Sequence, residues 1–268
     1  KKQTVDDSLG GIPEKCAKPL SAYNKDSGEV RSGQIEAPEG FDYYLLKLDG
    51  VTARAGFRET ENYGRLEYSF YRLAKDCGIE MTECSLIEEN GRAHFLTKRF
   101  DRESGKKIHM QTLCGIAHYD FHLHLAYSYE QAFNIMRSLR LPYSQAEEMF
   151  RRIVFNVVLR NQDDHTKNIS FLMDEKGKWR LSPAYDMGYA YNPDGLWTRT
   201  HQMSINGKFD NLTRQDLLAC AASNNIKNAA EIIDRVYEHA AEWGNTARNC
   251  GVPHEMITAI EKHLLLNI

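Results

Sequence analysis

The chain has 268 residues, 42% of them apolar, and a formal net charge of -3 from 34 Lys and Arg against 37 Asp and Glu. This length supports one large core or two lobes, and the charge excludes a protein that binds nucleic acid mainly through bulk positive charge, although a local basic patch is compatible with it. No run approaches 18 apolar residues, which excludes a transmembrane helix, and the first eleven residues lack the apolar stretch of a signal peptide.

Near the N-terminus, Ser8–Lys15 (SLGGIPEK) is a short glycine-bearing loop. Gly10 and Gly11 would let the backbone approach phosphate oxygens, Pro13 removes one backbone donor, and the same residues also make a plain turn. The chain opens abruptly on this loop, so residues ahead of Lys1 are expected. Tyr43–Leu48 (YYLLKL) is an apolar run between Gly40 and Asp49-Gly50, the pattern of a buried strand. Lys47 inside it must find a partner or reach a surface. Asn62–Gly78 places Leu66, Phe70, Leu73, Ala74 and Cys77 at helical spacing, with Gly78 as a C-terminal stop. Glu67 on that helix is a candidate partner for Lys47, or else part of a solvated face. Cys84–Glu88 and Ala93–Phe100 read as two strands joined at Asn90-Gly91, a strong hairpin signal.

From about residue 105 the pattern is mainly helical. Ser144 and Glu147 suggest a capping box opening a helix through Met149, Ile153, Val154, Val157 and Val158 to about Arg160. Ile169–Met173 and Trp179–Leu181 read as strands around a turn at Asp174–Gly177, and Thr213–Ala222 and Ala229–Trp243 as helices. The six cysteines (Cys16, Cys77, Cys84, Cys114, Cys220, Cys250) contain no CxxC pair and read as reduced, mostly buried thiols of a cytosolic protein. The expected fold class is α+β, a two-lobed protein-kinase-like fold with a small β-rich lobe over 1–104 and a larger helical lobe over 105–268.

The stretch Asn161–Asn168 (NQDDHTKN) carries the chemistry. An Asn five residues after an Asp is the spacing of the kinase catalytic loop. Asp163 to Asn168 has that spacing, between a buried helix and a hairpin. Asp186-Met187-Gly188 follows, with Met where the kinase DFG motif has Phe. In this reading Asp163 orients or accepts the proton of the attacking hydroxyl, Asn168 and Asp186 hold Mg²⁺, and Lys167 stabilises the transferring phosphoryl group. Asp164, at an offset of four, is the rival base. A zinc reading through His165 lacks a second histidine at helical spacing. Lys98-Arg99-Phe100, at the end of the last N-lobe strand, stands where a kinase hinge meets adenine, or else ends an edge strand. A small-molecule phosphotransferase would use the same Asp/Asn/Asp set, and a non-catalytic co-repressor partner of an antitoxin is a third reading.

The segments FNVVLRNQDDHTKNISFL, LSPAYDMGYAY and HQMSINGK, with SLGGIPEK, YYLLKLDG, TKRFDR and QTLCGIAHYDF, give the chain a resemblance to the kinase region of HipA-family toxins. The resemblance implies an ATP- and magnesium-dependent serine/threonine protein kinase of a toxin–antitoxin system. It would be cytoplasmic and act on a translation component such as an aminoacyl-tRNA synthetase. It implies Asp163 as the catalytic aspartate, Asn168 and Asp186 as the magnesium ligands, and His165, Lys167 and Tyr185 against the nucleotide. Lys47 would grip the α/β-phosphates, Lys98 to Phe100 would contact adenine, and Gly10, Gly11 and Lys15 would belong to the nucleotide loop. Ser8 matches the position that family members autophosphorylate. The implied partner is a small helix-turn-helix antitoxin, with DNA reached only through that complex and no membrane.

Overall fold

The computed structural model describes residues 20–33, 37–50, 61–103 and 105–267. The expected Ser8–Lys15 loop, with Ser8, Gly10, Gly11 and Lys15, and Cys16 lie outside the described residues.

The N-terminal lobe is an antiparallel sheet of β1 (Leu20–Tyr23), β2 (Val30–Ser32), β3 (Asp42–Lys47), β4 (Cys84–Glu89) and β5 (Arg92–Lys98), in the order β2-β1-β3-β5-β4. Helix α1 (Tyr63–Asp76) joins β3 to β4 and packs on β5 and β4. Leu66, Phe70, Leu73 and Ala74 form its buried stripe. Its first turn has no cap of its own. The Asp49 carboxylate accepts the N–H groups of Asn62 at 3.0 Å and Tyr63 at 2.8 Å, satisfying orphan donors from outside the helix. A glycine is required at position 64, since a Cβ there would stand 1.9 Å from the Ala93 carbonyl oxygen. The β4–β5 turn is Asn90-Gly91, both at positive φ, as the hairpin signal demanded.

After the sheet comes the hairpin β6 (Arg102–Glu103) and β7 (Lys106–Lys107). There follow β8 (His109–Thr112), α2 (Leu113–Ile116), β9 (Tyr127–Ser128), α3 (Tyr129–Ser138), α4 (Tyr143–Val158), β10 (Ser170–Met173), β11 (Trp179–Leu181), β12 (Met203–Ser204), α5 (Arg214–Ser223), α6 (Ala229–Ala241), α7 (Trp243–Asn249) and α8 (His254–Glu261). Strands β11, β10 and β8 form a three-stranded sheet in that order. The stretch Asn161–Asn168 leaves α4 and enters β10, and β11 leads on to Asp186.

Helix α4 is the buried spine expected of it, with Ile153, Val154, Phe155, Val157 and Val158 fully enclosed. Its start differs from expectation. Pro142 is the N-cap, Ser144 lies inside the first turn, and no side-chain cap forms, because the Pro142 carbonyl already receives the Gln145 N–H at 3.0 Å. The helix expected over 229–243 divides at Glu242 into α6 and α7. The break turns Trp243 inward, where its ring lies 5.0 Å from Phe70 and its indole N–H donates to Ser69 Oγ at 3.3 Å. Thus α1 belongs to one continuous apolar cluster with the helices of the second lobe. The cysteines Cys77, Cys84, Cys114, Cys220 and Cys250 are free thiols.

Candidate active site

Lys47, at the end of β3, reaches across from the sheet and pairs with two carboxylates. One is Glu67 on α1, and the other is Asp186, at 2.5 Å. Burial alone would lower the Lys47 pKa, but Asp186 and Glu67 override it and hold the ammonium above its ordinary value. Lys47, Glu67, Asp163, Asn168 and Asp186 line one cleft, together with Tyr63 and Asn161. An adjoining cleft of about 700 Å³ is lined by Leu45, Met81, Phe95, Met110, Tyr185 and the run Lys98–Asp101.

Each side of the first cleft is held by specific bonds. Asp186 adopts a left-handed φ of 52°, which a non-glycine residue sustains only when its surroundings fix it. Its carbonyl receives the Asn161 amide at 3.3 Å, and Asn161 also bonds Asn156 on α4 at 2.9 Å. Ahead of it, the Ala184 N–H donates to the Glu80 carbonyl at 2.7 Å, tying the loop to the first lobe. Arg152 bonds Glu148 at 2.9 Å and the Ser182 carbonyl at 2.9 Å, which fixes the same loop to α4. Asn168 donates Nδ2 to the Asp163 carbonyl at 2.8 Å, so Oδ1 is the atom a cation would use.

The two neighbouring aspartates have different surroundings. The Asp163 side chain is 41% exposed and faces the cleft. Asp164 is 3% exposed and bonds Tyr129 Oη at 2.8 Å, His201 Nδ1 at 2.8 Å and the Gln202 N–H at 2.7 Å. Asp164 is therefore enclosed away from any incoming acceptor hydroxyl, and it fastens the loop to α3 and to the segment before β12.

His165 lies with Nε2 3.8 Å from Asp163 Oδ1, and among the described residues neither ring nitrogen has a hydrogen-bond partner. Its ring borders an inner cavity beside Asn168, Tyr185 and Asp186. Tyr185 donates its hydroxyl to the Lys167 carbonyl at 2.7 Å, meets Ser170 Oγ, and stands 5.6 Å from the Phe100 ring. Burial raises its phenol pKa. Phe100 and Tyr185 thus offer flat apolar faces in the second cleft. The side chains of Lys98 and Arg99 are engaged elsewhere, Lys98 with Asp42 at 2.5 Å and Arg99 Nε with Asp101 at 2.7 Å. Burial would raise the Asp101 pKa, but the Arg99 and Arg102 guanidiniums hold it below the usual value. Lys167 is outside the lining of both clefts, with Nζ 3.2 Å above the centre of the Phe121 ring.

The donor set suits magnesium, a hard cation that takes one or two carboxylates and completes its shell with water and phosphate oxygens. Of the cleft's three carboxylates, Glu67 and Asp186 are paired with Lys47, and the Asn168 amide oxygen stands in the same lining. Among the described residues, no group of three or more His, Cys, Asp and Glu side chains is placed to hold a metal ion.

Two sets of supporting residues were not found by sequence reasoning. One is Tyr129, His201 and Gln202 around Asp164; the other is Asn161 with Asn156 behind Asp186. Asp164 and His201 are 37 residues apart, and no local spacing connects them.

A family model described as the HipA-like C-terminal domain matches residues 7–243. The chain belongs to that family. Over 135 residues it is 27% identical to a protein of Haemophilus influenzae named "Putative kinase", covering 45% of this chain and 39% of that one. Over 221 residues it is 25% identical to "Putative kinase Y4dM" of Sinorhizobium fredii, covering 74% of this chain and 52% of that one. The chain therefore spans about half the length, or less, of these curated relatives. Among solved structures it is similar to HipA of Shewanella oneidensis MR-1, determined with HipB and its operator DNA. That match has a TM-score of 0.65 at 16% identity and covers 91% of this chain and 60% of that one. It is also similar to the Helicobacter pylori proinflammatory kinase CtkA, with a TM-score of 0.51 at 13% identity, covering 96% of this chain and 99% of that one. The α+β, two-lobed kinase-like fold expected of a HipA-like chain is the fold observed. No helix among the described residues is long and apolar enough to cross a membrane.

Proposed function

We propose that the chain is the catalytic part of an ATP- and magnesium-dependent serine/threonine protein kinase of the HipA type, divided near residue 104 into a nucleotide-holding lobe and a helical catalytic lobe. The observation that carries this reading is the convergence of Lys47, Glu67, Asp163, Asn168 and Asp186 on one cleft, with Lys47 paired to both Glu67 and Asp186. That is the constellation phosphoryl transfer requires.

In this reading the cleft bordered by Phe100 and Tyr185 takes the adenine, and Lys47 binds the α/β-phosphates, oriented by Glu67. Asn168 and Asp186 would hold magnesium, which when bound neutralises phosphate charge. Asp163 accepts the proton of the attacking hydroxyl, Lys167 offsets charge on the transferring phosphoryl group, and His165 lies against the nucleotide. Gly10, Gly11 and Lys15 complete the phosphate-binding loop, and Ser8 is a site of autophosphorylation.

The acceptor is a cytoplasmic protein, a translation component such as an aminoacyl-tRNA synthetase. The structural neighbour HipA stands in a complex with HipB and operator DNA, which supports a small helix-turn-helix antitoxin as the partner here. The test is to incubate γ-labelled ATP, magnesium and a bacterial lysate with the parent chain or with Asp163→Asn. Label on protein serine or threonine with the parent alone supports the reading. Label confined to small metabolites would replace it with a small-molecule phosphotransferase, and no difference between the two chains would remove the assignment of Asp163.

A further inference from the structure

Phe121 has no part in the two clefts, yet its position is fixed with care. It sits in the segment between α2 and β9, and α2 itself is bonded to the catalytic loop and to the residue that follows it. Leu113 N–H donates to the Ile169 carbonyl at 2.7 Å, and Cys114 N–H to the Thr166 carbonyl at 3.1 Å. Beyond α2 the chain folds back on itself. Tyr119 N–H returns to the Cys114 carbonyl at 2.9 Å, the Tyr119 and Tyr127 rings stack at 4.3 Å, and Tyr127 donates its hydroxyl to the Asp120 carbonyl at 2.9 Å. Asp120 then caps the turn by accepting the His122 N–H at 3.0 Å. Phe121 is 40% exposed, with its ring 4.0 Å from the His122 ring. The Lys167 ammonium stands 3.2 Å from the centre of the Phe121 ring, on a residue only 8% exposed.

An ammonium withdrawn from water needs replacement for part of its hydration, and the negative face of an aromatic ring supplies it. Lys167 lies outside the cleft lining, so nucleotide contacts do not set its position beforehand. We propose that Phe121 is a positioning residue of Lys167, its ring holding the ammonium in readiness for phosphoryl transfer. This rests on the reading of Lys167 given above. Phe121 itself lines neither of the two clefts. An aliphatic side chain of similar size would fill the same space without attracting the cation.

The test compares Phe121→Leu, Phe121→Tyr, Lys167→Met and the double variant Phe121→Leu/Lys167→Met, using transfer from MgATP and the thermal midpoint of each. Removing the ring face should lower kcat roughly three- to thirtyfold, with KM for ATP changed by no more than about twofold and the midpoint kept. Phe121→Tyr should restore the parent rate, and Phe121→Leu should add nothing in the Lys167→Met background. Equal losses for Leu and Tyr, a parent-like Leu variant, or a further loss in the double variant would overturn the positioning role. If Lys167→Met itself behaves like the parent, the role of Lys167 fails and this proposal fails with it. A second reading needs no turnover. The Lys167 ε-methylene protons should show an upfield ring-current shift in the parent that Phe121→Leu abolishes. If the shift is absent from the parent, the contact does not exist and the proposal falls. If it is present in a parent that transfers no phosphate, the kinase reading has failed while the contact stands, and a role in transfer falls with that reading.

Discussion

Exchanging each of two adjacent aspartates for asparagine should separate chemistry from architecture. Asp164 is enclosed, and its carboxylate serves Tyr129, His201 and the Gln202 N–H. In Asp164→Asn one oxygen can still accept the Gln202 N–H, while the amide nitrogen meets Tyr129 and His201 as a neutral donor. The change removes one or two charge-assisted hydrogen bonds, each contributing about 1.5–3 kcal/mol. The expected loss of stability is about 2–4 kcal/mol, a fall in Tm of roughly 4–12 °C at about 2–3 °C per kcal/mol for a chain of this size. Asp163 faces the cleft with its side chain 41% exposed. Asp163→Asn should cost less than about 1 kcal/mol of stability yet lower transfer by roughly two to four orders of magnitude. Urea titration followed by tryptophan fluorescence gives the stabilities, and single-turnover transfer from MgATP gives the rates. A stable Asp164→Asn chain, or an Asp163→Asn chain that unfolds easily while remaining active, would refute the division between the two residues.

Three further outcomes follow. Asp186→Ala should abolish magnesium-dependent nucleotide binding, measured by titration calorimetry with and without the metal, whereas Asp163→Asn should leave binding largely intact. Gly64→Ala should destabilise by at least about 2 kcal/mol, because its Cβ would meet the Ala93 backbone carbonyl at 1.9 Å; Gly244→Ala should cost less, since its close neighbour is the movable end of Glu261. Chemical unfolding of both variants decides this. Burial pushes the Cys77, Cys84 and Cys220 thiols from 9.0 up to about 12. Between those values the unfolded chain releases protons that the folded chain keeps, so stability is full below about pH 9 and falls as pH rises toward 12. Unfolding midpoints at pH 8 and pH 10.5 should show the fall, and replacing the three cysteines by alanine should reduce it.

Local chemistry was readable wherever a signal lay within a few residues. The Asn90-Gly91 turn and the α1 stripe depend on neighbours in sequence, and the structure has both at those positions. The S-x-x-Q signal of Ser128 and Gln131, a capping box that opens α3, was present in the sequence and passed over. Other features had no local signal. Strand β2 is exposed along its length and, among the described residues, pairs only with β1, so no alternation marks it. The division of α6 from α7 follows from Trp243 reaching Phe70, a contact that periodicity does not encode. In the site, the pairing of Lys47 with Glu67 was anticipated from kinase logic, but the enclosure of Asp164 by Tyr129 and His201 required the fold. The same is true of Phe121 over Lys167.

The most direct test of the central claim is a crystal structure of the chain with magnesium and a non-hydrolysable ATP analogue. The account predicts adenine in the cleft bordered by Phe100 and Tyr185, phosphates on Lys47, a metal ion between Asn168 and Asp186, and the terminal phosphate facing Asp163. A nucleotide bound away from this cleft, or a metal ion bound without Asp186, would contradict it.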